Sequence, residues 1–580
     1  MYAFFEDRRA SPGDPAAWLF EAPVDCLTAW NTETLAAALR SIEVDSFWTV
    51  AALDYELGYL FEPVSAPAGW RPQPERTLAR FWRFAGCRQL DAEAAQGWLA
   101  SQAAASPAGV GDLRSGRDED AYCAAVERIK ALISAGDCYQ VNLTFPLDFT
   151  WFGTPLALYA RLRERQPVRY GGFVGDGTEG LLSLSPELFL ERRADRLSTR
   201  PMKGTAPRHQ AAESLRASAK DRAENLMIVD LLRNDLGRIA ENGSVEVDSL
   251  FEIEDYPTVW QMVSTISARI GQRSLGEILR ALFPCGSITG APKIRAMQIA
   301  GELEGSPRGI YTGALGWIAP SGDFRLNVAI RTLELKHGGS GRLGLGSGIV
   351  ADSEAAAEWR ECQLKACFLR DCDPGLKLIE TLRRENGCYP MWQGHLARLR
   401  HSAAWLAFPL DEQALFRELA KQPVTGCWRV RLTLDKAGRI EVESFPLDGT
   451  PPATREATMS RFPIDSRDPL RRHKTTSRAL YDEALRGLAA DSTVFDVLFL
   501  NERGELAEGA RSNVFVERDG ILLTPPLESG ALPGVLRAYL LNEGKAREQV
   551  LYPGDLMDGF LLGNALRGLV PARWAAPVID

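Results

Sequence analysis

Carboxylates at helical spacing are the first residues in this chain whose types could do chemistry. In KDRAENLMIVDLLRND, Asp221 and Glu224 are three apart and share one helix face. In ADSEAAAEWRECQLKA, Glu354, Glu358, Glu361 and Lys365 follow at intervals of four, three and four, a single stripe. One reading is a solvated face whose Glu–Lys pairs add a few tenths of a kcal/mol. The other is that the two acidic stripes face each other and hold a hard cation such as Mg²⁺. Such an ion takes one or two carboxylates and keeps waters for a substrate oxygen. Spacing alone leaves both open.

FPCGSITGAPKIRAMQIAGELEG places Pro292 where a helix begins, after glycines. That is how a helix N-terminus is offered to an anion, a carboxylate included, and equally how a plain tight turn is built. It is no Walker A loop, because Gly290 is followed by Ala-Pro rather than Lys-Ser/Thr, so ATP binding is not supported. Five histidines, none in H-E-x-x-H, argue against a histidine-rich metal site. Ten cysteines without a C-x-x-C pair read as small buried thiols, including Cys362, Cys367 and Cys372 with four residues between neighbours. Further on, Lys474 sits in RRHK, Glu508 follows 34 positions later, and SGALPGVLRAYLL puts a small-residue turn before a helix. Singly these are weak signals, and RRHK by itself reads as an exposed basic cluster.

The elements that must position these residues can be placed coarsely. FWTVAALDYELGYLF (47–61) is strand-like, and 94–116, rich in Ala, Gly and Ser, looks like a linker. An amphipathic helix starts at Asp118 and ends at Gly136, where a C-cap glycine belongs. A boundary falls near Asp373-Pro374-Gly375. Beyond it, 430–445 and 513–526 each place a glycine in a short loop between β-rich runs, the pattern of hairpins. The expected division is 1–117, 118–372 and 373–580. For 580 residues the length prior is about three to five domains. A net charge of −9 and a pI near 5.5 exclude a nucleic-acid partner. No apolar run reaches the ~20 residues of a membrane helix, and MYAFFEDRRASPGD has no signal-peptide core, so a cytoplasmic protein is expected.

SLSPELFL, TRPMKGTAPR, KDRAENLMIVDLLRND, FPCGSITGAPK, YTGALGWI, NVAIRTLEL and GSGIVADSEAAAEWRE, in this order, resemble the chorismate-utilising enzymes. That family includes anthranilate, aminodeoxychorismate and isochorismate synthases. The resemblance is dense over 118–372 and weak over the first 110 residues. It implies Glu224 and Glu361 as Mg²⁺ ligands, with Asp221 and Glu358 as outer carboxylates on the same faces. It implies Glu187 as the general acid for the departing C4 hydroxyl. Thr289, Tyr311, Arg331, the amides around Gly346 and Gly348, and Lys365 match positions that grip the substrate carboxylates. Lys203 is the discriminating residue: anthranilate synthases of this family carry Ala there, aminodeoxychorismate synthases Lys. Its implied role is to add at C2 as the C4 hydroxyl leaves, before ammonia enters at C4 and expels it. Two departures stand out. Gln261 replaces a His common before V-S-T, weakening any step that needs a histidine, and Cys285 replaces a common Gly, read here as packing. No cysteine lies in a glutaminase context, so ammonia must come from a separate glutamine amidotransferase subunit or from solution.

From 375 on, HLARLRHSAAWL, RRHKTTSRALYDEAL, ELAEGARSNVFVERDG and SGALPGVLRAYLL resemble fold-type IV pyridoxal-phosphate enzymes: branched-chain and D-amino acid aminotransferases and aminodeoxychorismate lyase. The resemblance implies Lys474 as the lysine that carries the cofactor and moves the proton, and Glu508 on the pyridine nitrogen. Arg398, the amides around Val535 and Leu536, and Asn564 would hold the phosphate. One departure is that Ile379-Glu380-Thr381 follows the boundary at once, so the usual leading strands are trimmed or supplied by the first block. The implied fold class is α+β: a large layered α/β chorismate-binding unit, then a fold-type IV α+β domain. The implied function is bifunctional. Chorismate is aminated to 4-amino-4-deoxychorismate, and a lyase then releases pyruvate and 4-aminobenzoate, in the folate branch. One alternative joins an anthranilate-synthase-like block to an aminotransferase for an unrelated amino acid. A ligand-sensing or scaffold protein is disfavoured, because every implied catalytic residue is present. A homodimer is left open.

Overall fold

The computed structural model describes residues 1–11, 13–103, 106–256, 259–447, 454–488 and 494–575. The chain forms two compact units. One comprises Met1–Ala108, Leu113–Phe149 and Gly153–Cys372; the other comprises Gly109–Asp112, Thr150–Phe152 and Asp373–Asp580. No helix among the described residues is long and apolar enough to cross a membrane.

The first unit is built on two ten-stranded sheets. Residues from the N-terminal hundred are threaded through both. Tyr2–Glu6 pairs antiparallel with Tyr170–Gly175 (Phe4 opposite Phe173), and Trp48–Leu53 pairs antiparallel with Ala314–Ile318 (Ala51 opposite Gly316). The apolar run at 47–61 has a simple cause, because the strand Trp48–Leu53 is covered on both faces. Val50 and Ala52 pack with Phe5, Trp18 and Phe20 of the other sheet, whereas Ala51 and Leu53 join the core under the helices. That second core takes Ile228, Val229, Leu232 and Leu236 from the helix Ala219–Gly237, one stripe at helical period.

The expected linker at 94–116 is corrected. Ala92–Gln102 is a helix, capped by the Asp91 carboxylate on the Ala94 amide at 2.8 Å, and Gly109–Ser115 is a strand. Alanine is the strongest helix former, and Ala95 and Leu99, four apart, bury one face; composition alone mistook that for flexible chain. The expected helix after Asp118 runs Glu119–Ser134, with Gly136 at φ +84° closing it. The cysteines are all free, but only four of the ten are buried, so buried thiols describe a minority.

In the second unit, Leu378–Glu385, Cys427–Leu434 and Ile440–Pro446 form a three-stranded sheet. The strand carrying Ile379-Glu380-Thr381 therefore opens this sheet. A second sheet has eight strands, with Arg455–Met459 running parallel to Val494–Leu500 and to Gly568–Trp574. Both expected hairpins form. Asn513–Arg518 and Ile521–Thr524 close on Asp519 and Gly520, both left-handed at φ +51° and +75°, which a two-residue turn matched to strand twist requires.

Candidate active sites

In the first unit the site forms around Lys203. Its strand, Met202–Pro207, breaks register between Met202 and Thr205, and Gly204 sits there at φ +93°. A bulge of this kind re-aims a side chain, and glycine is the residue that adopts it without strain. Any Cβ at Gly204 would also lie 3.1 Å from the Asp221 Cβ. The strand is clamped to the helix Ala219–Gly237 by buried Asn225, whose amide donates to the Lys203 carbonyl (3.3 Å) and accepts from Ser264 Oγ (2.6 Å). Opposite lies Gly348: a Cβ there would stand 3.6 Å from Lys203 Nζ and 2.5 Å from Gln140 Nε2. Glycine at 348 thus leaves the space before the amine open. Gly346 is required for another reason, since its Cβ would lie 2.5 Å from the Leu143 carbonyl of the neighbouring strand.

Three carboxylates surround this amine electrostatically: Glu187, Glu224 and Glu361. None comes within ion-pair distance, and the amine has no hydrogen-bond partner among the described residues. Glu187 is buried and accepts a hydrogen bond from Ser287 Oγ at 2.5 Å; burial pushes its carboxyl up to about 7, against the pull of Ser287 and Lys203. Burial likewise raises Glu224, opposed by Lys220 and Lys203. Glu361 is also raised by burial, but Lys365 at 2.7 Å, with Lys203 and Lys220, outweighs this and holds it below the usual range.

Among the described residues no three Asp, Glu, His or Cys side chains converge as a closed metal cage. A hard divalent ion fits without one, because it needs one or two carboxylates and leaves room for substrate oxygens. Glu224 and Glu361 fit that donor set, since both feel the same two amines, Lys203 and Lys220. The other two members of the expected set are placed differently. Asp221 lies beside Glu224 and adds to the local negative charge, whereas Glu358 is taken up by the Ser353 hydroxyl at 2.7 Å.

The residues expected to grip substrate divide in the same way. Arg331 is left-handed at φ +49°, a strained conformation for a non-glycine residue. It donates to the neutral Gln166 amide and has no carboxylate partner among the described residues. Burial draws its pKa down. A desolvated guanidinium without a counter-charge is suited to an incoming carboxylate. Tyr311 is buried with the root of its ring against Gly344, where a Cβ would be 2.0 Å from Cγ, and burial raises its hydroxyl pKa. Lys365 donates to the Gly346 carbonyl at 2.9 Å. The Thr289 hydroxyl bonds back to the Cys285 carbonyl at 2.8 Å, so that side chain stabilises its own turn. The short helix Gly286–Ile288 in the same turn delivers Ser287 to Glu187, and Lys293 of the following helix pairs with Asp235 at 2.7 Å.

In the second unit a cavity of about 550 Å³ contains Lys474, Glu508, Arg398, Asn564 and Val535 in its lining. Burial, with Arg398 and Arg478 nearby, lowers the Lys474 amine to about 8. Such an amine is available as free base for addition to an aldehyde carbonyl. Glu508 is buried and raised, its oxygens accepting from the Tyr481 hydroxyl and from the Leu532 amide at 3.0 Å. Arg398 grips Glu380 with two bonds of 2.8 and 2.7 Å and donates its remaining nitrogen to the Pro533 carbonyl at 3.2 Å. Glu380, also bonded to His395 Nδ1 at 2.6 Å, is held at about 2 despite its burial. The helix Val535–Asn542 starts after Gly534; its first intrahelical bond is Ala538 N to Gly534 O, leaving the amides of Val535, Leu536 and Arg537 without helical partners. Leu536 itself points into the core with Phe515 and Leu540, so only its backbone faces a ligand. The Asn564 oxygen accepts from the amides of Leu566 and Arg567, shaping the turn rather than reaching outward. These features fit an aldehyde cofactor bearing a phosphate.

The family described as chorismate binding enzyme matches residues 21–371, more than half of the chain. The chain belongs to the chorismate-binding enzymes. A second family, amino-transferase class IV, matches residues 377–574 and implies pyridoxal phosphate. This chorismate-binding enzyme is 42% identical over 313 residues to aminodeoxychorismate synthase from Streptomyces griseus, covering 52% of this chain and 42% of that one. It is 41% identical over 282 residues to aminodeoxychorismate synthase component 1 from Klebsiella aerogenes, covering 47% and 62%. The chain thus spans about half the length of these curated relatives. Among solved structures, anthranilate synthase component I from Streptococcus pneumoniae matches with a TM-score of 0.53 at 25% identity, over 62% of this chain and 92% of that one.

Sequence reasoning missed several residues of this chorismate-binding enzyme's sites. Ser287 and Asn225 lie inside recognised motifs, but nothing in their spacing says whom they touch. Cys285 was read as packing; its Sγ lies 3.2 Å from Ser287 Oγ and so bears on the hydrogen bond to Glu187. Gln140 and Gln261 are buried with side-chain oxygens that lack a donor among the described residues, and Gln140 shares the Gly348 space with Lys203. Glu187 yields a direct expectation. In the role expected of it, as the acid for the departing hydroxyl, Glu187 sets a limb of the pH profile that falls about tenfold per unit above about pH 7, separate from the limb set by the amine that must be neutral. Initial rates at fixed free ammonia check this: a flat profile from about pH 6 to about pH 9, or Glu187→Gln retaining the wild-type profile, contradicts it.

Proposed function

We propose that the chain is a cytoplasmic bifunctional enzyme that aminates chorismate to 4-amino-4-deoxychorismate and then eliminates pyruvate to give 4-aminobenzoate. The observation that carries this reading is the unpaired Lys203 amine, held by the Gly204 bulge and Asn225 before the space that Gly348 leaves open. In the first unit Glu187 gives its proton to the C4 hydroxyl as the Lys203 amine adds at C2. Ammonia then adds at C4 and the C2–N bond to Lys203 breaks, returning the amine. Arg331 holds a substrate carboxylate while this happens. Mg²⁺ held by Glu224 and Glu361 would supply charge stabilisation at the ring carboxylate. Ammonia comes from a separate glutamine amidotransferase subunit, as the resemblance to component 1 synthases supports.

In the second unit Lys474 takes the proton from C4 of the aminated ring. The C3–O bond breaks, the enolpyruvyl group leaves as pyruvate, and the ring becomes aromatic, which drives the step. Bound pyridoxal phosphate supplies the electron sink that acidifies C4–H. Glu508 holds a proton at the pyridine nitrogen, and Arg398 with the amides of Val535 and Leu536 holds the phosphate. The purified chain given chorismate, Mg²⁺, pyridoxal phosphate and ammonium is expected to release 4-aminobenzoate and pyruvate in equal amounts. Release of 2-aminobenzoate instead would overturn the assignment of Lys203. Glutamine in place of ammonium is expected to support no turnover until an amidotransferase is added.

A further inference from the structure

The cavity around Lys474 carries more positive charge than cofactor binding uses. Three arginines in its lining are already neutralised: Arg398 by Glu380 at 2.7 Å, Arg471 by Asp468 at 3.8 Å, and Arg478 by Asp482 at 3.7 Å. Arg429, Arg431, Arg511 and Arg567 also line it and have no carboxylate partner among the described residues. They come from three separate places in the fold. Arg429 and Arg431 alternate with buried Val430 and Leu432 on Cys427–Leu434, so the period of two puts both on one face. Arg511 precedes the strand Asn513–Arg518, and Arg567 sits in the turn between Phe560–Asn564 and Gly568–Trp574.

The last two converge on one residue. Arg511 Nη1 donates to the Phe495 carbonyl at 3.3 Å, and the Arg567 guanidinium lies 5.6 Å from the Phe495 ring centroid. Arg429 lies over Phe445, 4.6 Å from its centroid, and Phe445 also lines the cavity. Rings beside Arg429 and Arg567 and a carbonyl on Arg511 hold these guanidinium groups without neutralising them. Burial, then the charges of Arg511, Arg429 and Arg455, make the Arg567 cation less favourable. Cations gathered on a cavity wall repel one another, and an anionic ligand relieves that repulsion.

We propose that Arg429, Arg511 and Arg567 form a carboxylate-binding wall that makes the second unit select amines carrying two carboxylates over simple amino acids. An amino acid has one carboxylate beside its amine, which one or two guanidinium groups satisfy. These three arginines, without a carboxylate partner among the described residues and drawn from separate parts of the fold, match an amine whose carboxylates are far apart, such as one on a ring and one on an ether-linked leaving group. The proposal rests on the reading of Lys474 as the cofactor lysine and adds the residues that select the substrate.

Two measurements on the full chain test it. By isothermal titration calorimetry, 3-(carboxymethoxy)benzoate, an unreactive dicarboxylate, is expected to bind the wild type about tenfold or more tighter than benzoate, and Arg567→Gln and Arg511→Gln should each abolish that preference. In the holoenzyme the same variants should raise KM for 4-amino-4-deoxychorismate about tenfold with kcat within about twofold, while the visible absorption of bound cofactor stays at its wild-type level. The retained visible absorption of bound cofactor establishes that the second unit of each variant is folded. Equal affinity for the two benzoates, or an unchanged KM, overturns the proposal. Loss of cofactor instead of substrate affinity also overturns it, by assigning the arginines to the phosphate. Should the wild type bind no cofactor at all, the Lys474 reading fails first and the proposal with it; a cofactor-loaded wild type with indifferent variants fails the proposal alone.

Discussion

Lys474→Ala is expected to stop release of 4-aminobenzoate, by about 10³-fold or more, while chorismate continues to be consumed. In the proposed scheme the two sites use different lysines in different units, so removing one amine leaves the other reaction running and 4-amino-4-deoxychorismate accumulates. The variant should fold, because it deletes a buried cation that Arg398 and Arg478 already disfavour. Two readouts check it together: the intermediate followed by chromatography, and the visible absorption of the cofactor, which should vanish with its lysine. Persistent absorption would put the cofactor on another residue. The pKa of about 8 adds a direction. The amine is a free base over a larger fraction of molecules as pH rises toward that value, so cofactor loading of the unloaded protein should speed up across that range.

The second large effect is at Lys203. Lys203→Ala should cut formation of the 4-amino product by at least about 100-fold, and Lys203→Arg should not restore it, because a guanidinium stays protonated and is no nucleophile. A role limited to charge would instead be rescued by arginine. The side chain makes no hydrogen bond among the described residues, so thermal stability should change by less than about 1 kcal/mol. If Lys203→Ala kept its 4-amino product, catalysis would not pass through this amine. If it made 2-aminobenzoate, Lys203 alone would separate the two outcomes on one scaffold.

Local features of the fold were readable one segment at a time. The capped helix Glu119–Ser134, the Asp519-Gly520 hairpin and the stripe Glu358, Glu361 and Lys365, from which the expected Glu354 drops out as the extended N-cap residue, each depend on residues a few positions apart, where period and turn chemistry act directly. The Ala-rich stretch at 94–116 misled because alanine suits both a loose-looking composition and a helix, and only the buried faces of Ala95 and Leu99 decide for the helix Ala92–Gln102. The place of the first hundred residues was not legible either. Tyr2–Glu6 finds its partner at Tyr170–Gly175, and pairing over such a distance leaves no periodic trace.

The site follows the same division. Residue types and motif order, by themselves, determined which side chains are candidates: Lys203, Glu187, Glu224 and Glu361 in one block, Lys474, Glu508 and Arg398 in the other. Motifs cannot say how those side chains are tuned, because tuning depends on neighbours brought from elsewhere in the chain. Ser287 reaches Glu187 across 100 positions, and Asn225 fixes the Lys203 strand from a helix. Glu380 neutralises Arg398, and Phe495 gathers Arg511 and Arg567. Burial does the rest: it brings Glu187 to about 7 and Lys474 to about 8, and burial is a property of the packed structure alone.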